Sequence, residues 1–214
     1  MAQPPDRHRE RERERNREQR IQLAKTAARL MAEGGLQDFD TAKRKAAALM
    51  GLKHHRNLPG NDEIEAALID YHRLFQHDQQ REQLGQLRQT ALQAMRLLAP
   101  FSPRLVGSVL SGSADRHSPI QLHLFADTTE ELVIFLLGQQ IPYEQDEQYI
   151  HYSRGREERR PRIRFMAGES ALELTLFPTK ALRQPPASPI DGQPMRRVSL
   201  IELQRLLEDE ATGR

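Results

Sequence analysis

The side chains best suited to handling phosphate in this 214-residue chain lie between positions 105 and 127. Gly107 and Ser108 close a short apolar run and a small-residue loop follows. Ile120, Leu122 and Leu124 then alternate with Gln121, His123 and Phe125, the period of a strand. A small residue after a strand lets backbone N–H groups approach a phosphate closely, and the Ser108 hydroxyl is a further donor. The same pair also serves as a plain tight turn in a sheet. A second strand, residues 171–177, sets Ala171, Glu173 and Thr175 on one face and Leu172, Leu174 and Leu176 on the other. Glu173 is then either an exposed strand residue or a pocket carboxylate. His123 shares the face of Gln121, and a lone histidine there reads first as a partly buried, hydrogen-bonded side chain.

Gly107-Ser108, then Ser118-Pro119-Ile120-Gln121-Leu122, then Glu173, resembles the nucleotidyltransferase superfamily of the polymerase-beta type. That family's signature is a Gly-Ser pair, about ten residues, an Asp-x-Asp pair opening a strand, and a third carboxylate on a later strand. The resemblance implies a mixed-sheet nucleotidyltransferase-like domain with Gly107 and Ser108 as phosphate or nucleotide binders. Pro119 and Gln121 fall at the acidic-pair positions, so both aspartates are missing, and Glu173 takes the third position. The run GSVLSG through LHLFAD, with AKRKAA upstream, is also similar to a bacterial family of uncharacterised proteins that carry such a domain behind a helical N-terminal region.

Nucleotidyl transfer needs Mg²⁺ held by carboxylates, because the metal orients the attacking oxygen and neutralises charge in the transition state. Pro119 has no ligand atom, Gln121 has a neutral one, and His123 suits a hard cation poorly. Losing metal stabilisation of several kcal/mol costs several powers of ten in rate, at about 1.4 kcal/mol per tenfold. The expectation is a catalytically inactive homologue that binds a nucleotide or phosphorylated partner, with or without Mg²⁺, or acts as a scaffold. One alternative is an active Mg²⁺-dependent transferase that recruits Asp115, Asp127 or Glu173. Another is a transition-metal cluster drawn from Asp115, His117, His123, Asp127 and Glu173.

Composition narrows the classes. Lys and Arg number 32 against 30 Asp and Glu, so attraction to nucleic acid must come from local patches. There is no cysteine, which excludes disulfides, thiolate metal sites and a cysteine nucleophile. No apolar run approaches a membrane span and no secretory h-region opens the chain, so cytoplasmic residence is the default expectation.

The elements that must position these residues divide into three. Residues 1–20 alternate arginine with glutamate and form a disordered charged tail or a fraying solvated helix extension. Residues 21–100 form a helical module. Leu23, Ala27, Leu30 and Met31 recur at helical spacing before Gly34-Gly35, and a second helix runs from 40 or 41 to 50. Ile64, Leu68, Tyr71 and Phe75 open a third pattern that continues through Leu84, Leu87, Ala91 and Leu98, which reads as one long helix. Residues 101–214 form the α/β domain. Thr128 caps a helix ending at Gly138, residues 141–144 and 148–153 read as a hairpin, and an arginine-rich loop at 153–160 precedes Ile163, Phe165 and Ala167. A proline-rich stretch ending in Arg196-Arg197 either closes over an anionic ligand or crosses the sheet edge with its arginines in water. Ser199 caps a last helix at 200–207, with Glu202 completing a capping box. The fold class is α+β, helices first and a mixed sheet after.

The helical module carries a second resemblance. AARLMAEGG, Phe39 and AKRKAAALMG are similar to the opening of a tetracycline-repressor-type helix-turn-helix, which implies a DNA-binding regulator using Lys43, Arg44 and Lys45. That pattern calls for a recognition helix directly after Gly51, where Pro59-Gly60 soon intervenes. A small helical bundle is the alternative.

Overall fold

The computed structural model describes residues 7–36, 38–52, 57–75, 77–115 and 117–212. The protein is α+β, and its chain divides into two compact units, Met1–His77 and Asp78–Arg214.

The first unit holds α1 (Arg7–Gly34), α2 (Phe39–Leu49) and α3 (Asn61–Phe75). Leu23, Ala27, Ala28 and Met31 of α1 meet Ala42 and Ala46 of α2 and Ile64 and Leu68 of α3 in one buried cluster. Alanine at these positions lets helix backbones approach closely. Over its described part the charged stretch is the solvated helix extension rather than a disordered tail: α1 runs through it from Arg7, with Glu10 to Gln19 exposed. Opposite charges at i,i+3, such as Arg11 with Glu14 and Arg15 with Glu18, support this solvated extension. Asp38 caps α2 by accepting from Thr41 N at 2.8 Å, and the Thr41 hydroxyl together with that N–H holds its carboxyl below the ordinary value.

The pattern read as one long helix is two, α3 and α4 (His77–Leu97), and Gln76 between them lies outside the described residues. The apolar stripe of α4, Leu87, Ala91, Leu92 and Met95, with Leu98 just past its end, is buried with Leu122, Leu124 and Leu174 of the sheet. The boundary between units therefore falls at 77/78 rather than 100/101, because α4 buries its stripe in the second core.

The second unit continues with β1 (Arg104–Val106), α5 (Gly107–Ser111), β2 (Ile120–Phe125), α6 (Thr129–Gly138), β3 (Glu144–His151), β4 (Glu157–Ala167), β5 (Ser170–Phe177) and α7 (Leu200–Thr212). The five strands form one mixed sheet in the order β1-β2-β5-β4-β3, parallel only between β2 and β5. The hairpin expected within 141–153 is instead β3 paired with β4, from Glu144 opposite Arg164 to His151 opposite Glu157. Its cross-strand pairs are ionic: Arg162 grips Asp146 through Nε at 2.8 Å and Nη2 at 2.6 Å, and Arg159 lies 3.2 Å from Glu147.

The local caps follow the sequence. Thr128 and Glu131 form a capping box on α6, and Ser199 N donates to Glu202 Oε2 at 2.6 Å at the start of α7. No helix among the described residues is long and apolar enough to cross a membrane.

Candidate functional site

Strand period two sorts the sheet into two faces. Leu122, Leu124, Leu172, Leu174, Ile163 and Phe165 point into the helix-covered core. The alternate positions make a polar face: Gln121 and His123 on β2, Glu173 and Thr175 on β5, and Arg160, Arg162 and Arg164 on β4. In the parallel β2–β5 register Gln121 stands opposite Glu173 and His123 opposite Thr175. Gln121 Nε2 donates to Glu173 Oε2 at 3.3 Å.

Gly107 closes the same corner. Its φ of +73° lies in the left-handed region, and a Cβ there would run into the Gln121 amide, 3.1 Å from its carbon and closer still to its oxygen. Glycine is thus favoured by conformation, and any side chain there would push the Gln121 amide aside. Beyond it the chain forms the short helix α5 instead of an open loop, with Ser108 in its first turn and Gly112 at its C-cap, φ +91°. Arg88 fastens the far end of that helix. It is 5% exposed and donates to Val109 O at 3.0 Å and Leu110 O at 3.2 Å, while its Nη1 pairs with Glu210 of α7.

Gly107, Ser108, Gln121 and Glu173 are therefore brought to one end of the polar face. Pro119 precedes β2 and contributes no ligand atom. The acidic and histidine residues offered as a replacement cluster do not converge. Asp115 Oδ1 accepts from His117 N at 2.8 Å and from Ser118 Oγ at 2.9 Å in a local turn. Asp127 accepts from Thr179 Oγ1 at 2.6 Å and Thr179 N at 3.3 Å, bonds that hold its carboxyl below the ordinary range. Among the described residues no three His, Cys, Asp or Glu side chains are grouped to hold a metal ion. The donor set facing Gly107 is a single carboxylate and a neutral amide already hydrogen-bonded to it, which does not fit the divalent ions of nucleotidyl transfer.

His123 is a buried polar residue, 4% exposed, and burial together with the nearby charge of Arg197 pushes its pKa down to about 3. The imidazole is neutral and its Nδ1 accepts from Arg197 Nε at 3.0 Å. Arg197 reaches it from the strap of residues 184–199. That strap is tied to the β3 edge by Ala187 N donating to His151 O at 2.8 Å and to the β1 edge by paired backbone bonds between Leu105 and Val198. Arg196 is exposed, but Arg197 is not simply in water. Its guanidinium lies over the rings of Phe125 and Phe177, 5.2 and 4.9 Å from their centroids. Burial is the main cause lowering its pKa to about 10, and the like charge of Arg104 adds to it.

The arginines of β4 were the residues least visible in the sequence. Arg160 stood in what read as a loop at 153–160, with Arg162 and Arg164 just beyond it, although the i, i+2, i+4 spacing of the three is a strand signal and β4 begins at Glu157. In the first unit, Lys43 Nζ is held by Asn61 Oδ1 at 2.5 Å and by Asp40 at 3.6 Å, and Arg44 donates to Thr41 Oγ1 at 3.0 Å. The next described helix after Gly51 begins at Asn61, ten positions on. Comparison with protein-family models, curated proteins and solved structures returned no match.

Proposed function

We propose that this is a cytoplasmic, degenerate nucleotidyltransferase-like protein whose second unit binds a nucleotide or another phosphorylated ligand on the polar face of the sheet, without efficient nucleotidyl transfer. The observation that supports this reading is the parallel register of β2 and β5, with Gln121 beside Glu173 and the Gly107 turn against the Gln121 amide. The turn offers backbone donors and the strand offers an amide, while the single carboxylate leaves too little negative charge to hold Mg²⁺ in the manner transfer needs. Arginines on the neighbouring strand take over the neutralisation of phosphate charge that a metal supplies elsewhere.

The test is calorimetric titration of the full chain with ATP, GTP and CTP, each with and without Mg²⁺. Metal-independent binding is expected, weakened by Gln121→Glu, which adds a negative charge beside the turn. Failure of all three nucleotides to bind overturns the reading. So does binding that strictly requires Mg²⁺ and is accompanied by transfer, which would mark an active transferase with a rearranged acidic site.

A further inference from the structure

At the other end of the polar face two cations share one buried aromatic ring. The Arg197 Cζ lies 4.9 Å and the Arg160 Cζ 5.7 Å from the centroid of Phe177, which is 0% exposed. Each guanidinium has one nitrogen shielded from solvent and without a hydrogen-bond partner, Nη2 of Arg197 and Nε of Arg160. Their charge balance differs. Arg160 pairs with Glu158, whereas Arg197 has no carboxylate partner among the described residues and donates to His123 Nδ1 and, at 3.2 Å, to Ala181 O. His123 is neutral and returns no charge. Arg104, which also faces Glu202, raises the local positive potential further.

Like charges gathered out of water are unfavourable unless an anion joins them, and ring faces offset only part of that cost. We infer that Arg160 and Arg197 form an oxyanion subsite over Phe177 that takes a phosphate group of a small phosphorylated ligand. Two planar guanidinium forks, each with a spare N–H, match the several oxygens of a phosphate, and the uncompensated charge of Arg197 favours an anion. The subsite is separate from the Gly107 corner. Phe125, beside Phe177, is four residues along β2 from Gln121, about 13 Å at 3.3 Å per residue. Arg197 is half-buried and its strap backbone is pinned at Val198, so a turn of its long stem would bring Nη2 to a ligand without moving the sheet.

The experiment titrates inorganic phosphate into the full chain at fixed ionic strength, by calorimetry, in wild type and in Arg197→Gln, Arg160→Gln, Arg197→Lys and Gln121→Glu variants, each verified by thermal melting. Each glutamine substitution is expected to weaken phosphate binding at least about tenfold, the loss of a charge-assisted bond. Arg197→Lys, which keeps the charge and loses the fork, should lose several-fold and decides the matter if Arg197→Gln does not fold. Gln121→Glu removes only phosphate held at the Gly107 corner, so binding that survives in Gln121→Glu and is lost in Arg197→Gln belongs to the Arg160–Arg197 subsite. Absence of millimolar phosphate binding in wild type overturns the subsite. Binding lost only in Gln121→Glu also overturns it, by placing the phosphate at the Gly107 corner, and leaves the reading of that corner standing.

Discussion

The two faces of the one sheet are built from neighbouring residues and behave as different materials. Leu122, Leu124, Leu174 and Ile163 are at most 1% exposed beneath the helices. Gln121, Glu173, Arg162 and Arg164, each one position along the chain, are only partly buried, and they spend their polar atoms on one another and on Asp146. The packed face supplies the free energy that holds the strands in register. Because side chains alternate with a period of two, that same register decides which polar groups become neighbours on the other face. Gln121 meets Glu173 because Ile120 and Leu122 are locked beside Leu172 and Leu174. The candidate site is aligned by leucines that never touch it.

The contrast is broken hardest from the packed side. Leu122→Ala removes a fully buried side chain and should cost about 2–5 kcal/mol in guanidinium chloride unfolding. A cost below about 1 kcal/mol would mean that the leucine face is not close-packed.

A smaller effect sharpens the contrast from the polar side and depends on pH. His123 has a folded pKa of about 3 against an ordinary 6.5, so below 6.5 the unfolded chain takes up a proton that the folded chain refuses. Its contribution is fully present above pH 6.5 and is lost as pH falls toward 3. At pH 5 the loss relative to pH 7 is about 2 kcal/mol, at 1.36 kcal/mol per unit. This part of the slope should be missing from a His123→Asn variant followed by urea unfolding across pH 5 to 7. An unchanged slope would mean that the imidazole is not held neutral.

The smallest effect lies at the corner where the faces meet. Gly107→Ala forces a left-handed conformation on an L-residue and drives its methyl against Gln121, which should cost roughly 1–2 kcal/mol. The Gln121 side-chain amide resonances should shift with it, as NMR would record. If those resonances stay put, Gly107 and Gln121 are not in contact.

What was legible in the sequence was local. The alternation of Ile120, Leu122 and Leu124, the Thr128 cap, and the Ser199 box with Glu202 all announce themselves within a few residues, and each holds. The placement of β3 and β4 was not legible. EQDEQYIH on an edge strand has little apolar alternation to read, and its pairing rests on cross-strand ion pairs such as Asp146 with Arg162, sixteen residues apart. Nor could the α4 stripe say which core it joins, since Leu87, Ala91 and Met95 would fit any apolar surface at helical spacing. Of the candidate site, the glycine turn and the Glu173 face were readable. The inward turn of Arg197 was not, because it depends on Phe125 and Phe177 arriving together beneath the strap.

By itself the sequence determined the fold class, the Thr128 and Ser199 caps, the two faces of β2 and β5, and the uncharged proline and glutamine at positions 119 and 121, all properties of residue type and short-range period. Only the tertiary structure decided that Gln121 stands beside Glu173, that Gly107 lies against the Gln121 amide, and that two arginines meet over Phe177. These are contacts between segments far apart in the chain. The packing of the whole sheet selects them, through a register to which no single segment commits.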